Sequence, residues 1–183
     1  MKKILLIFLM FNFFTLLSCK KVDQLGYTVY TIKENRHRST YKYKTTKSYN
    51  FNFSVVFDTT AVYKTEDPLN QADVNKLYGI SDCGCNHKDY SIRVGWRWFN
   101  DVLEILWFRH QHGNFDFGKI TEVDLDFSYD YNIMLTEDYY IITVNGIKDS
   151  ISRSCSGVYN NYYLYPYFGG DEKAPHDIVI KIK

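Results

Sequence analysis

Three groups of residues in this sequence have the types and spacing to do chemistry. Glu122, Asp124 and Asp126 alternate with apolar Val123, Leu125 and Phe127, and on an extended chain every second side chain shares a face, so three carboxylates fall in one row. Paired carboxylates about 5 Å apart, one a nucleophile and the other an acid and base, carry out retaining glycoside hydrolysis; the competing reading is a solvated strand face. Arg109-His110-Gln111-His112 sets a candidate base beside a cation, with Arg93 and Arg97 upstream. An arginine that neutralises a uronate carboxylate, with a histidine or tyrosine that removes the acidified proton, is the equipment of a polysaccharide lyase. Asp82-Cys83-Gly84-Cys85-Asn86-His87 offers thiolates and an imidazole, which would suit zinc if Cys155 or His112 came close. Oxidation competes, and a disulfide from Cys83 or Cys85 to Cys155 is the stronger expectation for an exported chain. No metal and no cofactor is expected.

These groups need strands to position them. Tyr90, Ile92, Val94, Trp96 and Trp98 alternate with Ser91, Arg93, Gly95 and Arg97, the signature of a half-buried strand. Asn100-Asp101 is a turn signal, and Val102 to His112 continues extended, which predicts a hairpin with a two-residue loop. Its register then follows: Trp98 faces Leu103, Trp96 faces Ile105 and Val94 faces Trp107 on the core side. The opposite face pairs Arg97 with Glu104, Gly95 with Leu106, Arg93 with Phe108 and Ser91 with His110. A second hairpin is read from Tyr139 to Val144, Asn145-Gly146 and Ile147 to Ile151, after a strand over Tyr129 to Leu135. Further strands are expected at Tyr27 to Ile32, Asn50 to Phe57 and Ile178 to Ile182. One short helix is expected over Asp67 to Leu77, where Pro68 sits early and Leu69, Val74 and Leu77 are apolar. Lys33, Arg36, Arg38, Lys42, Lys44 and Lys47 form a basic stretch with Tyr41 and Tyr43 at strand spacing, and Tyr159 to Phe168 is rich in tyrosine that can stack on sugar rings.

At the start, Lys2 and Lys3 precede an apolar run from Ile4 to Leu17 that is too short for a bilayer-spanning helix. Leu16-Leu17-Ser18-Cys19 resembles the lipobox of bacterial lipoproteins, which implies cleavage before Cys19 and lipid on that cysteine. The expected layout is a signal peptide over 1–18, a lipidated cysteine and tether over 19–26, and one domain over 27–183. Cleavage leaves about 165 residues, enough for one sizeable core, and lowers the formal charge from +1 to about −1, which gives no field for nucleic acid. The anchor implies the bacterial envelope, outer membrane, with Lys20 and Lys21 favouring the periplasmic face. Protein partners cannot be read from the chain.

Many strands with little helix mean a sandwich or barrel. The run from Lys119 to Ile147, including Tyr131-Asn132-Ile133-Met134-Leu135 and Tyr140-Ile141-Ile142-Thr143-Val144-Asn145-Gly146, resembles consecutive strands of concanavalin A-like and laminin G-like jelly rolls. The tail, Leu164-Tyr165-Pro166-Tyr167-Phe168-Gly169-Gly170 with Ala174-Pro175-His176-Asp177, is similar to the end of some bacterial members, and the mature chain resembles small lipoproteins of Bacteroidetes-type bacteria. Glu122 to Asp126 is similar to the E-x-D-x-x-E signature of jelly-roll β-glucanases, with its last acid one place early. The fuller arginine, Gln-x-His and tyrosine set of the alginate-lyase family is missing. The expectation is therefore an all-β antiparallel sandwich that binds carbohydrate through Arg93, Arg97, Phe108 and His110, with Tyr165 and Tyr167 contributing. A lyase or hydrolase using Glu122, Asp124, Asp126 or His110, and a structural or protein-interaction lipoprotein, are the alternatives.

Overall fold

A computed structural model describes residues 22–183, so the leader and Cys19 lie outside the described residues. The twelve strands are β1 (Thr28–Ile32), β2 (Thr45–Thr46), β3 (Asn50–Phe57), β4 (Asn75–Ser81), β5 (Tyr90–Phe99) and β6 (Val102–Gln111), followed by β7 (Asn114–Val123), β8 (Ser128–Leu135), β9 (Tyr139–Val144), β10 (Ile147–Ser152), β11 (Asn161–Leu164) and β12 (Ile178–Ile182). They form two six-stranded sheets, ordered β1-β12-β3-β8-β9-β10 and β2-β11-β4-β5-β6-β7. Every strand pairing is antiparallel.

Alternation decides which side chains meet between the sheets. Ile32, Phe57, Ile133, Ile142 and Ile180 from the first sheet and Ile92, Val94, Trp96, Leu103 and Ile105 from the second are buried in one core. At about 25 cal/mol for each Å² of apolar surface removed from water, each such side chain contributes on the order of 2 kcal/mol. The β5–β6 hairpin has the register expected from its alternation, with Trp96 opposite Ile105 and Arg93 opposite Phe108. Its loop residues Asn100 and Asp101 both have positive φ, 53° and 60°, as a two-residue turn that follows strand twist requires.

Two expectations about local structure fail. The helix over Asp67 to Leu77 is only a single 3-10 turn, Pro68–Ala72, capped by the Asp67 carboxylate on the Leu69 N–H. The chain then enters β4, where a register shift between Lys76 and Tyr78 breaks the alternation. The basic stretch forms no regular strand before Thr45: Arg38 makes one bridge to Tyr167, Tyr41 packs edge-on against Tyr165, and Lys44 lies over the Tyr163 ring.

A buried polar knot ties the loop after β4 to the chain between β10 and β11. The Asp82 carboxylate, fully buried, accepts from Arg153 Nε at 2.7 Å, from Tyr140 Oη at 2.7 Å and from Asn161 Nδ2 at 3.2 Å. Beside it a disulfide joins Cys83 to Cys155, with Cα atoms 5.8 Å apart, and Cys85 is a free, exposed thiol. Asp82, Cys83 and Cys155 lie close enough to share a metal ion, but both sulfurs are taken by the disulfide and the carboxylate by Arg153.

Candidate functional site

The outer face of the second sheet is where charge and aromatic rings converge. Along β5 the outward residues are Ser91, Arg93, Gly95 and Arg97, and their partners on β6 are His110, Phe108, Leu106 and Glu104. Arg93 is only 7% exposed although it points away from the main core. Its cross-strand neighbour on β4 is Gly79, and a Cβ built there would stand 2.2 Å from the Ile92 carbonyl oxygen and 2.8 Å from Arg93 Cγ. The absent side chain lets Arg93 lie flat across β4 and donate from Nη2 to the Tyr165 carbonyl at 2.6 Å. Its Nε is buried and has no partner, which is unusual for so costly a donor.

Around this guanidinium is a cleft of about 250 Å³ lined by Arg38, Tyr41, His87, Tyr162 and Tyr167 among others. Lys76 stands at its other side, donating to the Val74 carbonyl at 2.7 Å with its ammonium 4.2 Å from the centre of the Phe108 ring. His87 arrives on the loop between β4 and β5. Its backbone N–H donates to Tyr162 Oη at 2.8 Å, and Tyr162 Oη is 3.0 Å from His87 Nδ1. With its oxygen already accepting from the backbone, the phenol donates its own proton to Nδ1, which assigns the ring a neutral tautomer protonated at Nε2. Ser91 Oγ donates to the His87 carbonyl at 2.7 Å and lies 3.3 Å from His110 Nδ1.

The cluster is electropositive, and the cations depress one another. Burial pulls the Arg93 guanidinium down to about 9 and, with Arg93 nearby, the Lys76 ammonium to about 8. His110 falls to about 4 through burial and then His87, Arg93 and Lys76. His87 falls for the same reasons, burial first and then Arg93, Lys88 and Arg38, against Asp89. Both imidazoles are therefore neutral bases near pH 7. Among the described residues no salt bridge neutralises Arg38, Lys76 or Arg93.

The sequence-derived candidates separate on this face. Arg93, Phe108 and His110 come together as expected, and Tyr167 joins them from the outer side, where its ring stacks on His37. Arg97 does not line the cleft: its guanidinium is held by Glu104 at 2.6 Å and by the Ala72 carbonyl at 2.6 Å. Tyr165 turns its ring towards Tyr30, Tyr41 and Tyr78 and offers the cleft mainly its carbonyl. The carboxylate row is not a row. β7 stops at Val123, so only Glu122 is on the strand, where it pairs with Lys119 at 2.6 Å. Asp124 accepts from Tyr129 Oη in the following turn, and Asp126 has φ of 64°; a left-handed residue breaks the alternation that would have aligned the acids. Lys76 was not among the expected site residues, and His87 was read only as a possible zinc ligand: Lys76 sits beside the β4 bulge, and His87 is placed in the cleft by Tyr162, 75 positions away.

The outer face of the first sheet has a shallower, larger depression of about 490 Å³ lined by Asn52, Ser54, Asp130, Asn132 and Thr143. Its outward polar side chains pair across the strands, Asn132 donating to Asn52 and Ser54 to Asp130.

No protein-family model matches the chain, and no curated protein matches it. Solved structures do. Alginate lyase AlyC3 superposes with a TM-score of 0.63 at 11% identity, over 88% of this chain and 75% of that one, and its complex with dimannuronate with 0.60 at 10%, over 86% and 72%. The laminarinase catalytic domain from Thermotoga maritima gives 0.53 at 12%, over 86% and 75%. The marine alginate lyase AlyA1 from Zobellia galactanivorans gives 0.53 at 11%, over 88% and 76%. At such identities the likeness is one of fold, and the chain is a concanavalin-like jelly roll of the architecture those enzymes use.

Proposed function

We propose that this protein is an envelope lipoprotein, lipidated at Cys19, whose jelly-roll domain binds an acidic polysaccharide on the outer face of the second sheet. The observation that carries the reading is the buried Arg93, with an unpartnered Nε, grouped with Lys76 and Arg38 and without a carboxylate partner. A buried charge without a counter-ion is expensive, and a ligand carboxylate in the cleft beside the guanidinium would supply the missing charge. Tyr162 and Tyr167 add stacking surface and hydroxyls. The fold shared with an alginate lyase solved with dimannuronate supports the same ligand chemistry.

A second reading, a lyase, is favoured by the contact between Tyr162 Oη and His87 Nδ1. In that elimination a cation stabilises the acidified carboxylate, Tyr162 Oη takes the proton beside it while passing its own to His87 Nδ1, the bond to the leaving oxygen breaks as the ring double bond forms, and the leaving oxygen takes a proton back from the phenol as His87 returns its own. Affinity-gel retardation against polygalacturonate, alginate and a neutral glucan, with unsaturated product followed by ultraviolet absorbance, separates the readings. Retardation by the acidic polymers alone supports binding, and product lost on Tyr162→Phe and His87→Ala establishes the lyase. Equal retardation by the neutral glucan refutes the acidic specificity.

A further inference from the structure

Beyond the cationic cleft the same face changes chemistry. On β7, the edge strand of the sheet, the outward residues opposite His110 and Phe108 are Phe115 and Phe117. They are 64% and 43% exposed. The intervening residues turn inward, Asp116 to Arg109 and Gly118 under the Trp107 ring, where a Cβ would be 2.7 Å from the indole. The solvent side of an edge strand is normally polar, so two exposed phenylalanines there call for an occupant. The Phe115 and Phe117 rings lie within 15° and 4° of parallel to Phe108, with centroids 5.4 and 6.4 Å away, which makes a comb of three rings continuous with Lys76 and Arg93.

We propose that Phe115 and Phe117, backed by Phe108, form a second subsite that takes the C–H face of a neutral pyranose next to the acidic residue held at Arg93, so that the ligand is a mixed acidic and neutral heteropolysaccharide. This rests on the reading of the cleft as an anionic-glycan site. The faces of phenyl rings carry the negative lobes of their quadrupoles, so they repel a uronate carboxylate and strip it of water, while the C–H face of an uncharged sugar meets both demands. Phenylalanine has no hydrogen-bonding group to satisfy, unlike the tyrosines on the other side of the cleft. The Arg93 guanidinium lies over β4, three strand spacings or roughly 15 Å from β7, about the span of three sugar rings, so one chain segment reaches both subsites.

The test uses the full chain in detergent and two probes: polygalacturonate, which is acidic throughout, and deacylated gellan, which mixes glucuronate with neutral glucose and rhamnose. The parent protein is expected to bind gellan about ten-fold more tightly than polygalacturonate, and Phe115→Ala/Phe117→Ala is expected to remove that preference while leaving polygalacturonate binding within about two-fold. No preference for gellan in the parent, or equal loss on both probes in the double variant, overturns the second subsite while the anionic site stands. Failure to bind either polymer overturns the underlying reading instead. A dimer that dissociates in the double variant, with glycan binding unchanged, assigns the comb to self-association and also overturns the proposal.

Discussion

Arg93→Met should make the protein more stable and blind to its ligand at the same time. Burial lowers the guanidinium from its ordinary value to about 9, some three and a half pH units. At about 1.4 kcal/mol for each tenfold change in proton affinity, holding the charge costs roughly 5 kcal/mol at pH 7. The charged hydrogen bond to the Tyr165 carbonyl returns about 1.5–3 kcal/mol. Methionine fills similar volume without the charge, so a net gain of roughly 2–3 kcal/mol follows, or about 5–10 °C in Tm for a domain of this size. The sign with pH follows from the folded state binding the Arg93 proton more weakly than the unfolded chain does. The penalty is whole below about pH 9 and fades as pH rises from there towards 12.5. The gain in Tm from Arg93→Met should therefore be full at pH 7 and shrink above pH 9. Thermal unfolding at both pH values, with retardation against an acidic polysaccharide, measures both halves. A lower Tm, or an unchanged one with ligand binding intact, would show Arg93 to be a structural strut and refute the reasoning.

Retention by acidic polymer should weaken several-fold between pH 7 and pH 9.5, because Lys76 gives up its charge near 8 and Arg93 near 9; a flat profile in affinity gels would remove both cations from the site. Cys83→Ser should cost about 4 kcal/mol in the chain-entropy account, since the bridge closes a separation of 72 residues, and Tm with and without reductant reads this directly. Asp82→Asn leaves Arg153, whose side chain is 3% exposed, without its charge partner, and denaturant titration should show a loss of about 3–5 kcal/mol. Glu122→Gln should leave any product release unchanged, since that carboxylate is half-exposed and engaged with Lys119; lost turnover would restore the hydrolase alternative.

Local, period-two information in the sequence was enough for the β5–β6 hairpin. Trp96 alternates with Gly95 and Arg97 on the first arm, and Asn100-Asp101 tolerates positive φ, so the turn carries that register onto the mostly apolar second arm. The same reasoning missed β4. Asp67 and Pro68 are a genuine cap and first turn, but the turn closes after five residues, and the bulge beside Lys76 hides the alternation that follows. Part of the cationic face was legible for the same reason: Arg93, Phe108 and His110 lie on that hairpin. The places of Lys76 and His87 were not, because a bulge sets one and a contact 75 positions away in sequence sets the other. The acidic row over Glu122 to Asp126 had the right alternation on paper and failed because β7 ends at Val123 and Asp126 is left-handed in the turn that follows.

The order of the first sheet bears on when the domain can fold. β12 comes last in sequence among the described strands, yet it sits inside the sheet, between β1 and β3, pairing Ile180 with Tyr30 on one side and with Phe57 on the other. Until Ile178–Ile182 emerges, β1 has no partner in its sheet and β3 presents an unpaired edge, so the hydrophobic interior cannot shut. A chain built this way stays open until residues 178–182 are available to fill the gap between β1 and β3. Loss of the final six residues would therefore leave two unpaired edges and an open core in place of a slightly shorter domain, with aggregation as the expected fate.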